Sequence, residues 1–97
     1  MSMDISKSDV VISTAGRDKD GIFYVVETEE NFALIADGKR RKIENPKRKK
    51  LKHVRKVTRT DSRVALKLRS GDPVLNSELR RDLAACSLQF NSHNQGG

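Results

Sequence analysis

The chain has 97 residues, 34% charged and 35% hydrophobic, with 20 Lys and Arg against 13 Asp and Glu, two His, one Cys and no Trp. A chain this short buries roughly 60 to 65% of the surface its unfolded form exposes, which allows one modest core and leaves no room for a deep catalytic cavity. A binding module is therefore expected, and an enzyme is not.

Residues 10–15 (Val-Val-Ile-Ser-Thr-Ala) are rich in β-branched side chains and end at Gly16, which predicts a strand running into a turn. Residues 22–27 form a second predicted strand, apolar on both faces and so central. Between them lies a polar loop bounded by Gly16 and Gly21, residues able to take the positive φ angles of a tight turn. A turn over 28–31 leads to a third strand at 32–37, closed by Asp37-Gly38, a strong hairpin signal. Residues 39–43 are expected to return as a short fourth strand ended by Pro46, and 51–57 to make the fifth, although the spacing of Leu51, Val54 and Val57 also suits a helical turn. Three of the four aromatic residues, Phe23, Tyr24 and Phe32, fall in this region, with Phe90 apart, so the core is expected there. Five short strands joined by tight turns fit a small curled barrel better than a sandwich, which needs about seven.

After Thr60 the pattern changes to helical. Asp61 or Ser62 is placed to cap a short helix carrying Val64, Ala65 and Leu68, stopped by Ser70-Gly71-Asp72-Pro73. Asn76 or Ser77 is placed to cap a second, with Glu78 in its first turn and Leu75, Leu79, Leu83, Cys86 and Phe90 on one face. The expected organisation is a β domain over 8–58, a helical extension over 59–90 and a disordered tail over 91–97.

Charge is concentrated in one stripe. Residues 1–37 carry a net −5 and residues 60–97 a net +1, whereas residues 38–59 hold twelve basic side chains against Glu44 alone. Like charges packed so closely repel until a polyanion neutralises them, and nucleic acid is the natural candidate. The competing expectation is that Glu27, Glu29, Glu30 and Asp37 fold back onto the stripe, or that it is only a solvated tail.

Nothing in the residues reads as a catalytic or metal-binding constellation. Gly16 and Gly21 are spaced as in a P-loop, but Ile22-Phe23 stand where the phosphate-binding Lys and Ser/Thr belong. Cys86, His53 and His93 lack paired ligand spacing, so no metal or other cofactor is expected. Cys86 falls on the apolar helical face and reads as a small hydrophobe. A lone cysteine closes no internal disulfide, and small secreted domains usually depend on several, which points to a reducing cytoplasmic home. No apolar run approaches the roughly 18 residues of a membrane span, and the N-terminus lacks the order of a signal peptide, so no membrane partner is expected.

The strand-turn-strand over 11–27, with Gly16-Arg17-Asp18-Lys19 at its turn, resembles a KOW motif, the RNA-binding element of several ribosomal proteins and transcription elongation factors. Asp37-Gly38-Lys39-Arg40-Arg41, followed by the run from Pro46 through Lys50 to His53, is more specifically similar to small bacterial KOW-domain proteins and, through them, to a group of archaeal and eukaryotic large-subunit ribosomal proteins. The resemblance covers about residues 8–57; it departs at Asp20, where many KOW motifs have glycine. It implies an SH3-like barrel that binds RNA, ribosomal RNA foremost, with Arg17 and Lys19 contacting RNA from the turn.

From the stripe, Lys39, Arg40, Arg41 and Lys42 are expected to contact RNA, as are Lys47, Arg48, Lys49 and Lys50 in a loop draped over it. Lys52, His53, Arg55 and Lys56 complete the set. Arginine forks grip phosphate in two places or stack on bases, whereas lysines act as mobile point charges. Tyr24 is the aromatic expected to stack on a base. The partner is RNA and no small-molecule substrate, and the protein is expected to be a monomer off RNA. The alternative is a nuclear or transcription-related interaction module whose basic run, 46–50, is a localisation signal.

Overall fold

The computed structural model describes the backbone of residues 5–96 and the side chains of residues 5–86. Five strands, β1 (Asp9–Ser13), β2 (Ile22–Glu29), β3 (Phe32–Ala36), β4 (Lys47–Lys50) and β5 (Val54–Arg59), form one antiparallel sheet in the order β4-β3-β2-β1-β5. A 3₁₀ turn, Leu51–His53, joins β4 to β5, and helices α1 (Arg63–Ser70) and α2 (Asn76–Gly96) follow. The first three strands lie where β-branched and aromatic runs predict them. The backbone of α2 runs through the segment expected as a disordered tail as far as Gly96, and the side chain of Phe90 lies outside the described residues.

The fourth strand is displaced from its expected position. Residues 39–43 do not pair as a strand, because Asp37 closes them into a tight loop. Its carboxylate accepts from the N–H groups of Lys39 (3.0 Å) and Arg41 (2.9 Å), while the N–H groups of Asp37 and Gly38 donate to the Arg41 carbonyl. The chain pairs with β3 again only at Lys47–Lys50, so the run expected to drape as a loop is an edge strand. Charged edge strands are a common device against edge-to-edge association. The start of the expected fifth strand is the 3₁₀ turn.

Strand alternation splits the apolar residues between two faces. Val11, Phe23, Val25, Ala33, Ile35 and Val54 pack together on one, with Ile5 and Leu51 at its margin. On the other, Val10, Tyr24 and Ala36 pack with Val64, Ala65 and Leu68 of α1, Val74, and Leu79 and Leu83 of α2. The helices thus share a core with the sheet. Ser62 caps α1 by accepting from Ala65 N–H (3.1 Å), and Gly71, in the left-handed conformation, ends it.

Asn76 does not cap α2. Its side chain instead accepts from Ile43 N–H (2.8 Å) and donates to Glu44 (2.8 Å), binding the 37–46 loop to the helix, while Glu78 accepts from Leu75 N–H (3.0 Å). These contacts, with Lys67 on Glu78, lower the pKa of both carboxylic acids: that of Glu44 chiefly through Asn76, that of Glu78 chiefly through Leu75. Leu75, expected on the buried face, lies just before the helix and is 66% exposed. Cys86 packs against the helical core, where burial, and then the charge of Asp82, raise its thiol pKa.

Candidate nucleic-acid interface

Loop 14–21, between β1 and β2, organises the basic residues around it. Its Thr14 N–H donates to the His53 carbonyl (2.9 Å), bringing the 3₁₀ turn alongside. Lys49, paired with Ala33 in the β3–β4 register, donates from Nζ to the Ala15 carbonyl (2.7 Å). From the other flank, Arg41 donates to Asp18 through Nη2 (3.0 Å) and Nε (3.3 Å), and the Arg40 guanidinium lies 5.8 Å from the Phe23 ring centroid. Residues far apart in sequence therefore surround one loop, which itself presents exposed Arg17 and Lys19.

The loop's backbone departs from expectation in one respect. Gly16 has a positive φ (78°), but the second positive φ falls on Asp20 (71°), not on Gly21. Asp20 thus takes up the glycine-like conformation at the position where the resemblance calls for glycine. Aspartate is among the few side chains that tolerate it.

The fourteen candidate contacts separate by what their charges already meet. Arg41 is paired with buried Asp18, Arg48 with Glu29 (2.8 Å) and Lys56 with Asp9 (3.6 Å), while Arg40 is at the limit of pairing with Asp37 (4.0 Å). Lys49 is only 8% exposed and is committed to Ala15, so its charge faces the interior. Arg17, Lys19, Lys39, Lys42, Lys47, Lys50, Lys52 and Arg55 are exposed and have no carboxylate within ion-pair range among the described residues. His53 is half-buried beside Thr14. The acidic residues do fold back in part, through Glu29 and Asp37, whereas Glu27 turns to Lys7 (3.7 Å).

Tyr24 is not available to a base. It is fully buried, its hydroxyl donates to Asp82, and Ser62 Oγ (3.3 Å) and Thr60 Oγ1 (3.5 Å) lie beside it. Apolar residues on both sides of β2 were the sign in the sequence that this strand is covered on both faces. The aromatic that sequence reasoning overlooked is Phe32, half-exposed on β3 beneath the Arg48 guanidinium, 3.8 Å from its ring centroid. Its neighbourhood was not legible, because the register Leu34 to Arg48 and Phe32 to Lys50 depends on where β4 begins.

Other surfaces offer less to an anion. A cleft between β2, the 37–46 loop and the α1–α2 connection has apolar walls from Val26, Ile43, Leu68 and Val74, but Glu27, Glu44 and Asp72 line it as well. Among the described residues, no group of three or more His, Cys, Asp or Glu side chains converges as metal ligands would, and no helix is long and apolar enough to cross a membrane. No protein-family model matches the chain, and no curated protein matches it.

Proposed function

We propose that this chain is a cytoplasmic RNA-binding protein with an SH3-like, KOW-type barrel, which grips structured RNA, ribosomal RNA foremost, by its phosphates and catalyses no reaction. Support for the barrel comes from the order of strands, a β1-to-β4 meander with β5 returning to β1, and from the 3₁₀ turn before β5. The reach of Lys49, on edge strand β4, to the Ala15 carbonyl just beyond β1 agrees with it.

The observation that carries the RNA reading is the set of exposed cations with no ion-pair partner among the described residues: Arg17 and Lys19 on loop 14–21, and Lys39, Lys42, Lys47, Lys50, Lys52 and Arg55 on the segments tied to it through Arg41, Lys49 and His53. Holding like charges together without internal carboxylates costs folding free energy, and phosphate relieves it. If about five of these cations meet phosphates, release of condensed counterions at about −0.7 per contact makes a fourfold rise in salt cost roughly a hundredfold in affinity. The localisation-signal alternative is less favoured, since the basic run is paired to β3 along its backbone and Lys49 is turned inward.

The test is binding of ribosomal RNA fragments, followed by fluorescence anisotropy over a salt series. A variant combining Arg17→Glu, Lys19→Glu, Lys39→Glu and Lys52→Glu changes only exposed side chains with no ion-pair partner among the described residues and should fold normally. It is expected to lose about a hundredfold or more in affinity and to show a shallower salt slope. Unchanged affinity and slope would refute the reading. Crosslinking in cells, with sequencing of the bound RNA, then identifies the partner.

A further inference from the structure

We infer that Arg48 and Phe32 form a subsite for an unpaired nucleobase, an inference that rests on the RNA-binding reading and adds a base contact to it. The Arg48 guanidinium carbon lies over the face of the Phe32 ring, 3.8 Å from its centroid. Glu29 Oε1 accepts from Arg48 Nε at 2.8 Å and fixes the plane from the side. The side chains of both members of this pair are open to solvent, 59% for Arg48 and 45% for Glu29. The guanidinium thus lies over the ring with its Nε engaged by the carboxylate, and its two terminal nitrogens have no partner among the described residues.

Charge decides which part of RNA this arrangement suits. Arg48 and Glu29 together are neutral, as are Glu27, on the same side of the sheet at the register of Leu34, and its partner Lys7, so a phosphate has little to gain here. A nucleobase carries no net charge, has a π face to lay on a guanidinium plane, and presents acceptors to its N–H groups. Ordering a long side chain is a large part of the cost of such a contact, and Phe32 and Glu29 hold this one before the base arrives. Lys50, opposite Phe32 in the strand register, is exposed, has no ion-pair partner among the described residues, and can hold the neighbouring phosphate. Bases in a continuous duplex are stacked on each other and hide their faces, so the ligand must be a loop or bulge nucleotide.

The experiment compares the full chain on two RNAs of equal length and charge, a stem-loop with unpaired purines in the loop and a blunt duplex. The wild-type protein should prefer the stem-loop by roughly 5- to 100-fold, the range one stacked base supplies. Arg48→Lys keeps the charge and loses the plane, and Phe32→Leu keeps apolar bulk and loses the ring. Each should bind both RNAs alike, with the salt slope of duplex binding unchanged, and thermal melts establish that the variants are folded. The Arg48 Nε–H resonance should shift with the stem-loop and not with the duplex. A preference that survives in the folded variants, or is missing from a wild-type protein that binds both RNAs, overturns the subsite alone. Failure of the wild-type protein to bind either RNA at low salt overturns the RNA-binding reading and the subsite with it.

Discussion

Arg41 donates two hydrogen bonds to one oxygen of Asp18, at 3.0 and 3.3 Å, tying the 37–46 loop to loop 14–21. The Asp18 side chain is only 4% exposed, so removing Arg41 strands a carboxylate away from water. Arg41→Ala is expected to cost about 1–3 kcal/mol, and Asp18→Ala in that background to recover part of the loss. Urea denaturation of the two single variants and the double variant measures the coupling; additive losses would show that the two loops are held by other contacts.

Lys49 is basic in sequence but interior in the fold. Lys49→Met keeps the stem packed and loses one charged hydrogen bond to Ala15, for an expected cost of about 1–3 kcal/mol. Lys49→Glu directs a carboxylate at a carbonyl and should cost more than Lys49→Met. RNA affinity of folded Lys49→Met should fall less than that of Lys52→Glu, as anisotropy at fixed salt would reveal.

Backbone conformation makes opposite predictions at two positions. Asp20 has φ 71°, so Asp20→Gly relieves strain and should raise stability by about 0.5–1 kcal/mol. Gly38 has φ 78°, and a β-carbon there would lie 2.2 Å from the Asn76 carbonyl oxygen, so Gly38→Ala should cost about 2 kcal/mol or more. Thermal melts compare the two directly.

Tyr24 is the chain's one tyrosine, which makes it its own optical reporter. Burial first, and the hydrogen bond to Asp82 second, push its pKa from 10.0 up to about 12, while Ser62 and Thr60 draw it down. A raised pKa means the folded state holds this proton more tightly. The associated stability is therefore complete below about pH 10 and lost as pH climbs toward about 12. Tyrosinate absorbance of the folded protein should titrate near the upper end of that window, and Tyr24→Phe should remove this component of the alkaline loss, on the order of 2 kcal/mol. A titration midpoint near 10 in folded protein would show that Asp82 and burial do not act on it.

β1, β2 and β3 were legible in the sequence because β-branched and aromatic runs bounded by Gly16, Gly21 and Asp37-Gly38 act locally. The cap at Ser62 and the stop at Gly71 are local as well, and so is the cationic composition of 38–59. The position of β4 was not legible: Asp37 and Asn76 both engage the 37–46 loop, and Asn76 lies more than thirty residues further along the chain. That displacement sets which cations face solvent, which one (Lys49) turns inward, and which arginine lies on Phe32. By itself the sequence determined how much positive charge this protein carries and on which segment. Only the tertiary structure decided which of those charges remain free, because pairing and burial depend on contacts between residues that the chain brings together from a distance.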